Sequence, residues 1–436
     1  MREIASSVTR KAGWRLLPLV VFMYFLSYLD RVNVSFAALT MNAELGFTAT
    51  VYGLGAGLFF FGYCLGEVPS NLALERVGAR LWLARIMITW GLVSAAMALV
   101  SGARSFYLVR FLLGLSEAGL YPGVLLYLTY WFPERTRTRM VGIFLTAAPL
   151  STLVGAPISL WLLKFDGLAG LHGWQWMFVL EGLPTALFGI CVLFALPDRP
   201  EKVAWLAPAE RSWLTSELAA ENKVRAASNI TGVVPTLRNP AVLGYCLVYF
   251  LLTTVLYGIG FWMPQVVRSL GYSISEVGWI VAMPSLITSA LIIPWSIHSD
   301  KSNERLWHTI VPLMVAAAGM LFAAYGSTDA LKIAGFTLGS IGVFCAVPPF
   351  WVLPISRLAG TAAATGIAII GGVGNLGGYF GPLTLGILKD ATGGYSCGLA
   401  MLSACAAACF CLIFVLSRAA QWQSAPGAAN ELPEPP

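Results

Sequence analysis

From residue 14 to residue 418 the chain alternates long apolar runs with short polar breaks. A run of about 18 or more apolar residues with few charges predicts a helix that crosses a bilayer. Twelve spans are predicted, at 14–39, 51–71, 81–101, 105–130, 140–163, 174–196, 241–266, 276–297, 308–326, 330–356, 361–388 and 395–418. The one long polar connection, 197–239, separates six spans from six. It contains LAPAERSWLTSELAAENKVRAA, in which Pro208 near the start and Glu210 and Glu217 on the polar face predict an amphipathic surface helix. The final QWQSAPGAANELPEPP is too polar and proline-rich to pack, and disorder is expected there. The predicted fold class is an all-α polytopic membrane protein with an N-terminal half (1–196), a linker (197–239), a C-terminal half (240–418) and a tail (419–436).

Polar residues inside the spans change this picture from a shell to a device. The fourth span reads RFLLGLSEAGLYP over 110–122. At 100° per residue, Arg110, Gly114, Glu117 and Tyr121 fall within about 60° of one another on a continuous helix. The first span carries Tyr24, Ser27, Tyr28, Arg31 and Ser35 within an arc of about 100°, with Asp30 beside it. Ionisable groups at membrane depth are costly and face a bundle interior or a watery cavity. Arginine suits carboxylates, because its planar donors match both oxygens and it stays charged. Arg31 and Arg110 are therefore candidate anion forks, with ion pairs that merely hold the bundle as the competing reading. Asp30 and Glu117 are candidate proton carriers, since an anion that takes an arginine leaves the carboxylate without its partner. Glu67 reads as a gate or structural pair, and Glu181 as a capping or packing residue.

Composition sets limits on these readings. The 436 residues are 58% hydrophobic and 11% charged, with mean hydropathy +0.75; soluble domains carry about 25% charge. The net charge of +6 is scattered between apolar segments, which gives no sign of nucleic-acid binding. With the N-terminus cytoplasmic, 20 of the 27 Lys and Arg residues fall on the inner side. Five fall outside (Arg104, Lys164, Arg268, Lys332, Lys389), and Arg31 and Arg110 lie within spans. The positive-inside rule then predicts both termini cytoplasmic. The eight cysteines form no CxxC pair and read as small buried hydrophobes. No lysine follows a glycine, so no GxxxxGK[ST] phosphate loop exists, and HExxH is missing. Neither cofactor nor metal is needed, and no enzyme chemistry is supported.

An internal echo links the halves. The loop after the second span reads NLALERVGAR and that after the eighth WSIHSDKSNER, each with an acid before a base: Glu75–Arg76 and Asp300–Lys301. These loops, together with Arg110, Gly114 and Pro122, resemble motifs of the major facilitator superfamily. YLDRVNVSFA, RFLLGLSEAGLYPG and YWFPERTRTR further resemble its anion:cation symporter branch, and the second-span region resembles bacterial tartrate-type and aromatic-acid permeases. The resemblance implies twelve helices in two six-helix halves, with a site between them near the midplane. It implies proton symport of a small organic acid anion, with Asp30 and Glu117 as protonation sites. It also implies Tyr28, Arg31, Arg110, Tyr121 and Asn375 around the substrate, and Glu75, Arg76, Arg80, Asp300 and Lys301 at the gate. Tyr249, Thr253, Tyr257 and Trp351 are lesser lining candidates. Where the branch often has an amide in the fifth span, this chain has TAAPLS, which favours less hydroxylated acids. Tartrate-like and aromatic acids (hydroxyphenylacetate, phthalate, nicotinate) both remain open, as do sodium coupling, export and a non-transporting sensor. The expected partners are the carboxylate, protons and the lipid bilayer, with the chain a monomer.

Overall fold

The computed structural model describes residues 2–227, 239–357 and 361–423, and they are helical almost throughout. In chain order the helices are α1 (Arg2–Glu44), α2 (Ala49–Val77), α3 (Ala79–Ala96), α4 (Ala103–Glu117), α5 (Leu120–Thr129), α6 (Glu134–Leu145), α7 (Ala147–Leu162) and α8 (Gly173–Ala195). They continue with α9 (Pro208–Ala227), α10 (Pro240–Ser269), α11 (Ile274–Ser302), α12 (Leu306–Tyr325), α13 (Asp329–Arg357), α14 (Thr361–Asn375), α15 (Gly377–Thr392) and α16 (Ser396–Gln423). Among the described residues, eleven helical segments are long and apolar enough to cross a membrane. The expected span 361–388 is the one absent from that set. It is divided at Leu376 into α14 and α15, each too short on its own. Most of the tail, 424–436, lies outside the described residues, as do 228–238 of the linker.

Prolines set two further breaks. A proline inside a helix removes its own N–H and clashes with the carbonyl four residues earlier. Pro122 therefore acts on Ala118, where α4 has just ended; Ala118 is extended (ψ 132°) and Gly119 takes φ +88° before α5 begins. Pro149 acts likewise on Leu145, the last residue of α6, and Thr146 bridges to α7. The fourth span is thus two helices, with the polar residue Glu117 at the break.

Close contacts divide the chain into two units. The first comprises Met1–Asn229, Gly260–Ser289 and Pro382–Tyr395. Within it α2 packs on α4 and α3 on α8 through small residues, as membrane helices do. A side chain on Gly114 would run into the Phe59 carbonyl, and Gly91 and Gly182 face each other's backbone. Asp390 accepts the N–H groups of Ala49 (3.0 Å) and Thr50 (2.7 Å), which otherwise have no partner at the start of α2. Helix α9 begins with Pro208 and docks on α1 through Glu210, which receives Lys11 Nζ (2.8 Å) and Ser7 Oγ (2.7 Å). The second unit comprises Ile230–Ile259, Ala290–Gly381 and Ser396–Pro436. There α12 packs on α13, with Gly319 and Gly335 in backbone contact.

Candidate functional site

Two polar faces of α1 carry the chemistry of the first unit. Ser27 and Arg31 are four residues apart and share one face, whereas Asp30 and Asn33 share another. Arg31 and Asp30, adjacent in sequence, therefore point to different neighbours.

Toward α4, Arg31 Nη2 meets Glu117 Oε1 at 2.6 Å, and Ser27 Oγ donates to the same oxygen at 2.7 Å. Glu117 is fully buried and Arg31 is 9% exposed. Glu117 Oε2 has no hydrogen-bond partner among the described residues. The Arg31 guanidinium lies 5.3 Å from the Phe59 ring and 5.4 Å from the Tyr63 ring, a cation–π cage from α2. Glu67, half-buried on the same helix, acts on Arg31 through the field.

Arg110 is fully buried beside the same Phe59 ring at 5.2 Å. Its Nε and Nη2 donate to the carbonyls of Gly55 (3.3 Å) and Ala56 (3.1 Å), so most of its fork is engaged with the α2 backbone. Tyr121 does not continue the stripe of Arg110, Gly114 and Glu117, because the break at Ala118 and Gly119 places it on α5. There it joins an aromatic cluster, 5.6 Å from Tyr24 and 6.0 Å from Phe144, with Tyr28 at 6.4 Å from Tyr24.

Away from Arg31, Asp30 sits fully buried against α3 and α8. Its Oδ1 accepts from Ser94 Oγ (2.9 Å) and Asn33 Nδ2 (3.1 Å), and Oδ2 lies 3.4 Å from Thr185 Oγ1. The Asn33 amide also donates to Glu181 Oε2 (3.0 Å), and Ser159 Oγ donates to Glu181 Oε1 (2.7 Å). Glu181 caps nothing: it stands mid-helix on α8, buried at the end of this chain of bonds.

In the second unit, Asn375 is the last residue of α14, at the break. The Thr253 hydroxyl reaches the Gly374 carbonyl, which the interrupted helix leaves without its usual partner. Tyr249 stacks on Phe350 (5.6 Å) and meets Trp351 edge-on (4.8 Å) beside it. Toward the loops, Arg80 pairs with Asp198 (3.6 Å, with its backbone N–H donating at 2.8 Å) and Asp300 pairs with Arg305 at 2.6 Å. Glu75, Arg76 and Lys301 are exposed. One group could hold a metal among the described residues: Glu44, Asp166 and His172, all exposed, with ligand atoms within 4.8 Å. Trp174 Nε1 and the Gly173 N–H already occupy its two carboxylates.

The sequence profile of the Major Facilitator Superfamily matches residues 20–382. The chain belongs to the major facilitator superfamily. A relative from Agrobacterium vitis, named for tartrate transport, is 47% identical over 397 residues, covering 91% of this chain and 88% of its own. A quinolone resistance transporter of Acinetobacter baumannii is 40% identical over 404 residues, 92% and 93% of the two chains. The crystal structure of a bacterial homologue of the human lysosomal transporter Spinster superposes with TM-score 0.77 at 15% identity, covering 96% and 98%. It shares the fold. The chain is thus a multi-pass transporter of this superfamily and not an enzyme.

Within this facilitator fold, Asn33, Ser94, Ser159 and Thr185 are polar partners that reading the sequence passed over. Two signals were available. Asp30 and Asn33 are three apart and so share a face, and Glu181 is the lone charge in GWQWMFVLEGLPTALFGICVLFA.

Proposed function

We propose that the protein imports a small organic acid anion with protons across a bacterial inner membrane, by rocking of its halves (1–196 and 240–418) about a midplane site. The observation that carries this reading is the buried Arg31–Glu117 pair with its spare carboxylate oxygen. An incoming carboxylate competes with Glu117 for Arg31. Glu117, deprived of its cation, takes a proton on Oε2, and anion and proton load together. Proton entry also offsets the potential, worth about 2.3 kcal/mol per charge per 100 mV, that opposes a monoanion. The excess of Lys and Arg on one side supports cytoplasmic termini. Asp30 is a second proton site in this reading, Arg110, Tyr28, Tyr121 and Asn375 line the path, and the Arg80 and Asp300 loops gate it. The relative named for tartrate transport puts hydroxy-dicarboxylates first on the substrate list, with aromatic acids after them.

Export is a second reading, favoured by the quinolone resistance relative. Uptake of labelled carboxylates into proteoliposomes, with and without an inward proton gradient, tests the first. Gradient-stimulated uptake of one acid, lost in Glu117→Gln while exchange survives, is the expected result. Accumulation of a cationic or zwitterionic drug in inverted vesicles, without acid uptake, would move export to the front.

A further inference from the structure

At the second polar face of α1 two buried carboxyl groups meet, Asp30 of α1 and Glu181 of α8, with no cation paired to either among the described residues. Burying one uncompensated anion is costly, and burying two joined through one amide is costlier still. The charged groups near enough to act on Asp30 are Glu117 and Arg110 on α4 and Glu181 on α8. From the other packed helices, α7 brings no charged residue, α8 brings only Glu181, and α3 brings Arg80 and Arg85, nearer its start, with Arg85 stacked on Trp82. Arg31 turns away to Glu117.

Counting hydrogens locates the missing positive charge. The Thr185 hydroxyl has one hydrogen, and the Glu181 carbonyl takes it at 3.0 Å. The same hydroxyl points at Asp30 Oδ2 from 3.4 Å, too far for a full hydrogen bond, so Oδ2 is the one carboxyl oxygen of the four with no donor at normal distance and the one with room for a proton. Both Glu181 oxygens already accept, from Ser159 and Asn33, as an anion's would. A further donor stands close by: the Trp90 indole N–H is fully buried and acts on Asp30, without a hydrogen bond of normal geometry among the described residues. Such a donor suits an Asp30 that becomes an anion during the cycle.

We propose that Asp30 and Glu181, bridged by Asn33, hold a single proton as one unit, resident on Asp30 Oδ2 in this state. Glu181 is then the residue whose charge keeps that proton in place, separate from the Arg31–Glu117 pair. The inference deepens the symport reading and rests on it, but its test needs neither substrate nor gradient.

The test is infrared spectroscopy of the full-length protein in phosphatidylethanolamine–phosphatidylglycerol vesicles at neutral pH. The wild type is expected to show the carbonyl-stretch band of a buried protonated carboxylic acid. The band should vanish in Asp30→Asn, and as the pH is raised it should disappear at a lower pH in Glu181→Gln than in the wild type, because Asp30 gives up its proton more readily once its anionic neighbour is gone. Thr185→Val should raise the band's frequency by removing the hydroxyl contact, while Thr185→Ser leaves it in place, which keeps the assignment testable if Glu181→Gln does not fold. No band in the wild type, a band whose pH dependence is the same in Glu181→Gln, or a band unmoved by Thr185→Val each overturns the proposal. Failure of the symport reading would appear separately, as no gradient-driven uptake of any acid.

Discussion

Replacing each member of the Arg31–Glu117 pair in turn separates a substrate site from a structural bolt. At 2.6 Å and an effective dielectric of about 20, the pair's gross attraction is about 6 kcal/mol. Most of that offsets the desolvation of two buried ions, so the net stabilisation is small, although removing one partner from a buried pair costs about 3–5 kcal/mol. Glutamine at 117 keeps an acceptor for Ser27 and Arg31 and limits the loss to about 2 kcal/mol. An anion that must displace Glu117 from Arg31 bears part of the pair's attraction as a cost. Glu117→Gln lowers that cost by about 1–2 kcal/mol, so substrate binding, read by calorimetry or fluorescence quenching in detergent, should tighten about 5- to 30-fold. Gradient-driven uptake should be lost in the same variant. Arg31→Gln removes the fork itself, worth about 2–4 kcal/mol, and should weaken binding about 30- to 1,000-fold. If Glu117→Gln weakens binding tenfold, or Arg31→Gln binds within threefold of wild type, the competition argument is wrong and the pair only holds α1 to α4.

Three further outcomes follow from the packing. Gly119→Ala meets a left-handed backbone (φ +88°) and the Ser70 hydroxyl at once, so a loss of at least 1–2 kcal/mol, about one left-handed residue's cost, should appear as a lower melting temperature on fluorescence-detected gel filtration. Asp390→Ala uncaps α2 and should cost about 1–2 kcal/mol, with Asp390→Asn recovering part of it; equal stability of all three forms would show the cap to be idle. Lys11 holds the Glu210 carboxyl at about 2, below its ordinary 4.5. A carboxyl lowered on folding contributes stability that is full above 4.5 and lost as pH falls toward 2. Because Lys11 is 40% exposed the contribution is about 0.5–1 kcal/mol. Hydrogen exchange in α9 should therefore accelerate between pH 4.5 and 2 in the wild type but show no such step in Glu210→Gln.

What the sequence made legible divides by the range of the physics. Spans follow from the thickness of the bilayer and the cost of charge within it, so the apolar runs fall on helices wherever a run is unbroken. Where that reading slips, a local rule competes: Pro122 and Pro149 each forbid a helical bond four residues back, and the fourth and fifth spans part at Ala118 and Leu145–Thr146. The helical wheel that put Tyr121 beside Glu117 assumed a continuity that Pro122 denies. Side-chain partners are harder still, because a wheel gives the direction of a residue and not what stands opposite. Arg31 and Asp30, adjacent acid and base, invite pairing on paper, yet 100° of rotation sends one to Glu117 and the other to Ser94 and Asn33. The same uncertainty applies to Glu75–Arg76 and Asp300–Lys301, where the bonds run instead from Asp198 to Arg80 and from Asp300 to Arg305. Glu181 is the instructive case. Its cost in an apolar helix was readable from one segment, and a group so costly needs a compensating partner. That partner sits 148 residues away in Asn33, and only the fold brings the two together.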